Sequence, residues 1–171
     1  MYDPTVFDNL KVAFENHLYD LDNLDRKITI VNRIDQMDFA VLARKFAIQF
    51  ELQGQRDLSA EIILEASLQE LADEILEAPD GNPGCLVALR ITKPINNIDD
   101  QCREVKEAVL AIWEEDVRLK QTVSCVYGQE LKGYLDVIDV RFKQKINEGN
   151  MGELEEFVDH VLVTLQVLSE I

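Results

Sequence analysis

The sequence predicts an α+β protein, in which an antiparallel meander sheet in the N-terminal half precedes a β-α-β-β-α C-terminal half and the helices pack on the sheet. Three observations lead to this prediction. Apolar and polar residues alternate on both sides of the short polar segment Gln53–Asp57, as in the two strands of a β-hairpin. The stretch Cys85–Thr92 is almost wholly apolar, which is typical of a strand covered on both faces. From Met151 onward, apolar residues form one broad helical stripe.

The first half of the chain is predicted to be mainly strands. Apolar residues recur at period two within Asp8–Asp22, and a phase change midway predicts a strand with a β-bulge. The β-branched run Lys27–Arg33 predicts the next strand. A polar turn at Asp35–Asp38 is then predicted to lead into a central strand, Phe39–Ala43, that continues into Lys45–Leu52.

Two alternatives are open for Ser59–Ala66, the segment that follows the hairpin loop. Its alternation predicts a strand, whereas an apolar stripe of 3.6-residue period also allows a helix that begins at Ser59. We favour the strand because Ile62 falls off the helical stripe. A helix over Leu68–Ala78 is predicted in either case.

The proline- and glycine-rich segment Ala78–Gly84 predicts a linker. It divides the chain into a β-meander lobe that ends in a helix, residues 1–78, and a β-α-β-β-α lobe, residues 85–171, which we expect to form one compact unit. In the second lobe, Asn97 predicts the N-cap of a helix that runs to about Asp116. The remaining strands and the last helix are predicted over Arg118–Tyr127, Tyr134–Lys145 and Met151–Ile171.

The charge is strongly acidic and evenly distributed. The 171 residues carry a formal net charge of −16, and both halves contribute to it. Such a surface keeps a protein dissolved and opposes contact with phosphate backbones and anionic lipid headgroups. We therefore expect neither a nucleic-acid partner nor a membrane partner, and interpret the charge as a solvated surface.

The cysteines and the N-terminus favour a cytosolic protein. Cys85, Cys102 and Cys125 are widely spaced and lie at apolar positions, so we expect reduced core residues and a reducing compartment. The segment Met1–Leu10 has no apolar run of the kind that a signal peptide needs. No stretch in the sequence is apolar over the ~18 residues that a membrane helix requires.

Catalytic and metal-binding signatures are absent from the sequence. Asp20, Asp22 and Asp25 do not fit a calcium-binding loop, because the glycine and the final glutamate of that motif are missing, so they favour a plain turn. His17 and His160 have too few potential ligands at metal-site spacing. No nucleophile motif or glycine-rich phosphate loop occurs. We predict no cofactor, no metal and no catalytic residue.

Two surfaces are candidates for binding. On the last helix, two valines should lie opposite the core-facing stripe, beside an acid and a histidine, and could contact a partner subunit. This partner face comprises Glu156, His160, Val163 and Val167. Three alternating bases could form an anion strip on one face of a strand, either as a site for an anionic ligand or as a charged face that protects a strand edge. The anion strip comprises Arg141, Lys143 and Lys145.

These observations favour a non-enzymatic, acidic cytosolic protein that acts by binding another protein or by self-association, for example as a homodimer. One alternative is a small-molecule-binding protein or enzyme with a pocket between the two halves and the anion strip as its polar wall. A third hypothesis is an acidic decoy or inhibitor that covers a basic partner. The sequence identifies neither the partner nor the biological process.

Overall fold

The computed structural model describes residues 5–114 and 117–171. Within them the chain forms four α-helices and six β-strands. The helices are α1 (Val6–Asn23), α2 (Leu68–Ile75), α3 (Ile98–Trp113) and α4 (Leu154–Ser169). The strands are β1 (Ile28–Asp38), β2 (Ala43–Leu52), β3 (Ser59–Ala66), β4 (Leu86–Ile95), β5 (Val117–Ser124) and β6 (Tyr134–Phe142). Two short 3₁₀ helices cover Glu130–Lys132 and Glu148–Glu153.

All six strands join one antiparallel sheet in the order β1-β2-β3-β4-β6-β5. The first four strands form a meander in which β3 pairs directly with β4. Strand β6 lies between β4 and β5, so β5 is at one edge of the sheet and β1 is at the other. The α+β class, the meander and the β-α-β-β-α order of the second half are therefore confirmed.

The helices α1, α3 and α4 cover one face of the sheet, and the core lies between the two layers. The buried stripe of α4 was predicted and is confirmed by Leu154, Val158, Val161, Leu165 and Leu168. The opposite face of the sheet has no helix layer in the described ranges, and it carries rows of polar side chains. Among the described residues, no helix has the length and apolar character that crossing a bilayer requires.

The hairpin at the centre of the prediction is present. Strands β2 and β3 pair through a loop that contains Gly54, whose positive φ of 83° suits a residue without a side chain. The segment Ser59–Ala66 is a strand, and Ile62 is fully buried opposite Ile48 and Leu89. The helix expected after it is α2, whose N-cap Ser67 accepts a hydrogen bond from the Glu70 amide.

The strand predicted over Asp8–Asp22 is wrong, because this segment belongs to the helix α1. Thr5 and Asp8 form a capping box at its start. The buried side chains are three or four residues apart, which is the spacing of one helical face; they are Phe7, Leu10, Phe14, Leu18 and Leu21. The period-two interpretation relied on Val12, which is exposed.

The turn predicted at Asp35–Asp38 and the strand predicted at Phe39–Ala43 are also wrong. Strand β1 continues to Asp38, and Phe39–Leu42 form the turn. Polar residues did not mark the turn, because Asp35 lies on the helix-covered side of β1 and pairs there with Lys11. Phe39 is 83% exposed, as its position in the turn requires.

Several predicted boundaries move in the second half. Strand β4 runs past Pro94 to Ile95, β5 ends at Ser124 and β6 ends at Phe142. Asn97 caps α3 as predicted, by accepting a hydrogen bond from the Asp100 amide. The last residues of the predicted α3, 115 and 116, lie outside the described residues. Helix α4 begins at Leu154 because a 3₁₀ helix with its own capping box precedes it.

Candidate functional site

Strand β5 forms an open edge of the sheet. In the described part of the chain it pairs with β6 alone, and no backbone hydrogen bond joins it to a loop. The backbone N–H and C=O groups that point away from β6 are therefore available to another strand. Leu119 and Val123, on the helix-covered side of β5, are only half-buried.

Helix α3 fixes β5 from behind. Gln121 points toward the helix, and its Nε2 atom donates a hydrogen bond of 2.9 Å to the Cys102 carbonyl oxygen. Helix α3 also packs directly against β5 and α4. Strand β5 is therefore held in place by two contacts: α3 packs on one of its faces, and β6 pairs with it along its length.

The outer side of this edge is basic. Arg118 of β5 lies directly opposite Arg141 of β6, and Lys120 lies opposite Asp139. Asp139 is already bonded to Arg90, at 2.8 Å. Arg118, Lys120 and Arg141 are exposed, and none of them forms an ion pair with a residue that the structure describes. We call these three side chains the basic edge surface.

Strand β1, at the opposite edge, is interrupted by a bulge and is tied to α1 at one amide. A β-bulge interrupts its pairing with β2 between Ile30 and Asn32. The Ile30 amide donates to Asp22 of α1 at 2.9 Å, so an edge N–H is already satisfied. Arg33 and Asp35 point toward the helix layer and pair with α1. Bulges and inward-pointing charges are known means of protecting a strand edge.

The predicted anion strip is divided among three places. Only Arg141 lies on a strand, because β6 ends at Phe142. Lys145 bonds Glu70 of α2 at 2.5 Å. Lys143 lies at the rim of a cavity that Phe14, Phe142 and Phe157 line. The strand is also interior to the sheet, so the strip cannot protect an edge. The basic side chains beside Arg141 are instead Arg118 and Lys120 of β5. Their alternation in the strand predicted over Arg118–Tyr127 is the sequence pattern that could have identified them.

The predicted partner face lies on the outer side of α4. Val163 and Val167 are 45% and 38% exposed, as expected, and Glu156 is exposed. His160 is half-buried: its Nδ1 atom lies 2.8 Å from the Glu156 carbonyl oxygen, and its ring is 5.5 Å from that of Trp113. The histidine is thus held by its own helix and an aromatic neighbour.

A buried polar group lies between α3 and the sheet. Asp136 is fully buried, and its Oδ2 atom accepts a hydrogen bond from the Cys102 thiol at 3.8 Å. Burial raises the pKa of this carboxyl, while burial lowers the pKa of Lys93 on the opposing position of β4. The remaining oxygen of Asp136 has no hydrogen-bond partner in the described structure. These groups lie under the helix, away from the outer surface of the sheet.

The structure brings together no metal site in the residues that it describes: no three His, Cys, Asp or Glu side chains are grouped to hold an ion. Asp22, a member of the acidic cluster Asp20, Asp22 and Asp25, instead accepts a hydrogen bond from the Ile30 amide.

Cys85 is buried, and burial raises the pKa of its thiol to about 12. Cys125 is exposed, so its predicted place in the core is wrong; it follows β5 in the loop, where no layer covers it.

Two further features were missed by the sequence analysis. Large apolar side chains are exposed at the end of the sheet where the β1–β2 turn and α2 lie, namely Phe39, Val41, Leu42, Leu68, Ile75 and Leu76. A cavity of about 220 Å³ opens between α1, α4 and the end of β6, and aromatic rings of Phe14, Phe142 and Phe157 line it. Both depend on contacts between distant segments.

Comparisons with known proteins give no match to a family model, to a curated protein or to a solved structure.

Proposed function

We propose that the protein acts by binding another protein, without catalysing a reaction, and that an extended segment of the partner adds to the sheet at β5. The observation that carries this proposal is the open edge at β5. Strand addition uses main-chain hydrogen bonds for affinity and alternate side chains for specificity. The edge offers both, because its backbone groups are available and Leu119 and Val123 are half-exposed beside it.

The remainder of the sheet favours this mode of binding. At the other edge, a bulge and the Asp22 bond interrupt the first part of β1, so β5 offers the longer uninterrupted edge. Five strands and α3 support β5, so the added segment meets a surface that is already ordered. Pre-ordering lowers the entropic cost of association, which falls mainly on the incoming peptide.

A direct experiment uses an eight-residue peptide of alternating valine and threonine, joined to a carrier protein through a flexible linker so that it stays monomeric. Two versions carry N-methyl groups on opposite sets of alternate residues. In an added strand, one set of amides faces β5 and the other faces solvent. We expect one methylated version to bind like the parent peptide and the other to lose binding. Equal loss of binding in both methylated versions would contradict strand addition. Strand addition would also be contradicted if neither the parent peptide nor peptides with glutamate or lysine in place of threonine bind.

Self-association through the partner face on α4 is a second form of protein binding, favoured by the two exposed valines. A homodimer of this kind should dissociate when Val163 is replaced, because an aspartate would be buried without a partner. Light scattering of wild type and Val163→Asp measures this. A wild type that is monomeric at high concentration removes the homodimer.

A small-molecule-binding protein is the second candidate function, and the aromatic cavity favours it. Its wall combines Phe14 of the first half with Phe142 and Phe157 of the second, and Lys143 lies at its rim. Ligand pockets often pair apolar walls with a few polar groups. A ligand-dependent rise in melting temperature across a metabolite panel would support it, provided that Phe157→Ala abolishes the rise.

The cytosol is the compartment that we propose for this function. Its support is the three cysteines, which are all thiols and of which Cys125 is exposed. Free thiols persist in reducing compartments.

A further inference from the structure

We infer that the segment which adds to β5 is acidic: its side chains on the outer side of the sheet are carboxylates, and those on the helix side are apolar. This inference rests on the proposed function and names the partner's chemistry. It starts from the basic edge surface, which is positive although the whole chain carries a net charge of −16.

The register of the sheet concentrates positive charge beside the open edge. Arg118 and Arg141 lie directly opposite each other on β5 and β6. Directly opposed side chains in an antiparallel pair are about 5 Å apart at Cβ, where like charges repel. Lys120 follows on the same side of β5, and the carboxylate opposite it, Asp139, is bonded to Arg90. Carboxylates on an adjacent strand would relieve this repulsion.

The helix side of the edge selects a different kind of residue. Leu119 and Val123 are half-buried there, and an added strand would cover them. Because side chains alternate between the two faces of a strand, residues next to the carboxylates would be apolar. Thr122 and Ser124 end the outer row without charge. The preferred segment thus has two carboxylates two residues apart near one end and apolar residues at the alternate positions.

The same charges argue against a second copy of the chain at this edge. If two β5 strands paired antiparallel along their length, the Lys120 side chains of both copies would lie on the same side of the joined sheet, opposite each other or one pair apart. Lysine and arginine on an edge strand are a known protection against pairing with like strands. Two chains of the same large net charge also repel each other. An acidic segment of a different protein avoids the local repulsion.

The test uses three carrier-linked peptides of eight residues with valine at alternate positions. The other positions are glutamate, threonine or lysine. We expect wild-type protein to bind the glutamate peptide about tenfold more tightly than the threonine peptide, the size of two exposed ion pairs, and the lysine peptide more weakly still. Most of this preference should disappear at high salt, since exposed charges are screened.

Two charge-matched variants locate the effect. The double variant Arg118→Glu and Lys120→Glu should reverse the order of the glutamate and lysine peptides. The double variant Arg56→Glu and Lys27→Glu makes the same change in net charge at exposed positions away from β5, and should leave the order unchanged. Circular dichroism tests whether both variants are folded. If the double variant at Arg118 and Lys120 does not fold, the single variant Lys120→Ala replaces it and should reduce the preference for the glutamate peptide by about half.

The outcomes separate the inference from the proposed function. If none of the three peptides binds, the proposed function fails and the inference with it. If all three bind equally well to wild type, strand addition stands and the inference is overturned. It is also overturned if the lysine peptide binds best, if the Arg56 and Lys27 variant reverses the order, or if wild type forms a dimer that buries β5.

Discussion

The two edges of the sheet are protected in different ways. Strand β1 has a β-bulge, inward-pointing charges and a helix that satisfies one of its amides. Strand β5 is regular over its length, and its outer side carries the charges of Arg118 and Lys120. A bulge and a bonded edge amide interrupt pairing with any incoming strand, whereas charge excludes strands of the same sign and attracts those of opposite sign. The difference is consistent with our proposal that β5 serves recognition, whereas the contacts of β1 serve stability.

Helix α1 runs along β1 and contacts it through a series of polar pairs. The Asp22 carboxylate accepts a hydrogen bond from the Ile30 amide. The Nε atom of Arg33 donates to Glu15 at 2.6 Å. The Nζ atom of Lys11 donates to Asp35 at 2.8 Å. These contacts are spaced along the whole length of the helix. The polar residues of β1 therefore join two layers of the fold.

The largest expected effect on stability comes from removing Asp35. This carboxylate contacts Lys11 at 2.8 Å and Arg44 at 3.4 Å, and its side chain is 24% exposed. We expect Asp35→Ala to lower the free energy of unfolding by about 1.5 kcal/mol, because Lys11 loses its partner and Arg44 keeps only Asp8. Urea unfolding measures this. The matched change on the other edge, Lys120→Ala, should cost less than about 0.5 kcal/mol; equal costs would remove the contrast between the edges.

Removing Asp22 should have the next largest effect. Asp22→Ala leaves the Ile30 amide at an edge without its acceptor. We expect a loss of about 1 kcal/mol in unfolding free energy, and faster hydrogen exchange of the Ile30 amide. Asp20→Ala, on the same helix, serves as the control. If the two variants are equally stable, Asp22 does not close the edge.

The pH dependence of stability should also distinguish the edges. Burial tends to raise the pKa of Asp35, but the hydrogen bond and charge of Lys11, together with Arg44, outweigh burial and hold this pKa below its ordinary value of 3.8. Its stabilisation is therefore present above pH 3.8 and is lost as pH falls through the folded pKa. The stability difference between wild type and Asp35→Asn should shrink when unfolding is measured at pH 3 instead of pH 7. A difference that grows at pH 3 would contradict this assignment.

The smallest effect is expected for Lys120→Glu. Lys120 is exposed and makes no ion pair in the described structure, so unfolding free energy should change by less than about 0.5 kcal/mol. Thermal unfolding measures it. A larger loss would mean that the basic edge surface holds the fold together and is not reserved for a partner.

The sequence was sufficient where local patterns and tertiary packing agree. The alternation around Gly54, the N-cap Asn97 and the stripe of α4 each appear where they were predicted. It failed at α1, because Leu10, Val12 and Phe14 alternate over a few residues while the true stripe extends over the whole helix. The burial of Phe14, together with the exposure of Val12, is decided by the sheet beneath them.

The candidate site could be predicted only in part. Arg141 was identified as a member of a basic surface, but its neighbours were sought along the chain, at Lys143 and Lys145. Its actual neighbour, Arg118, comes from the strand that pairs with β6. Which strand lies at an edge depends on the order β4-β6-β5, and no local pattern in the sequence specifies that order.

Amide hydrogen exchange, followed by NMR with and without the glutamate peptide, tests most directly whether β5 is an open edge that accepts an acidic strand. In the unbound protein, alternate amides of β5 should exchange rapidly, while the Ile30 amide in β1 is protected. On binding, the rapid amides of β5 should become protected and those of β1 should not change. Protection of all β5 amides before the peptide is added, or new protection at β1 instead of β5, would contradict the account.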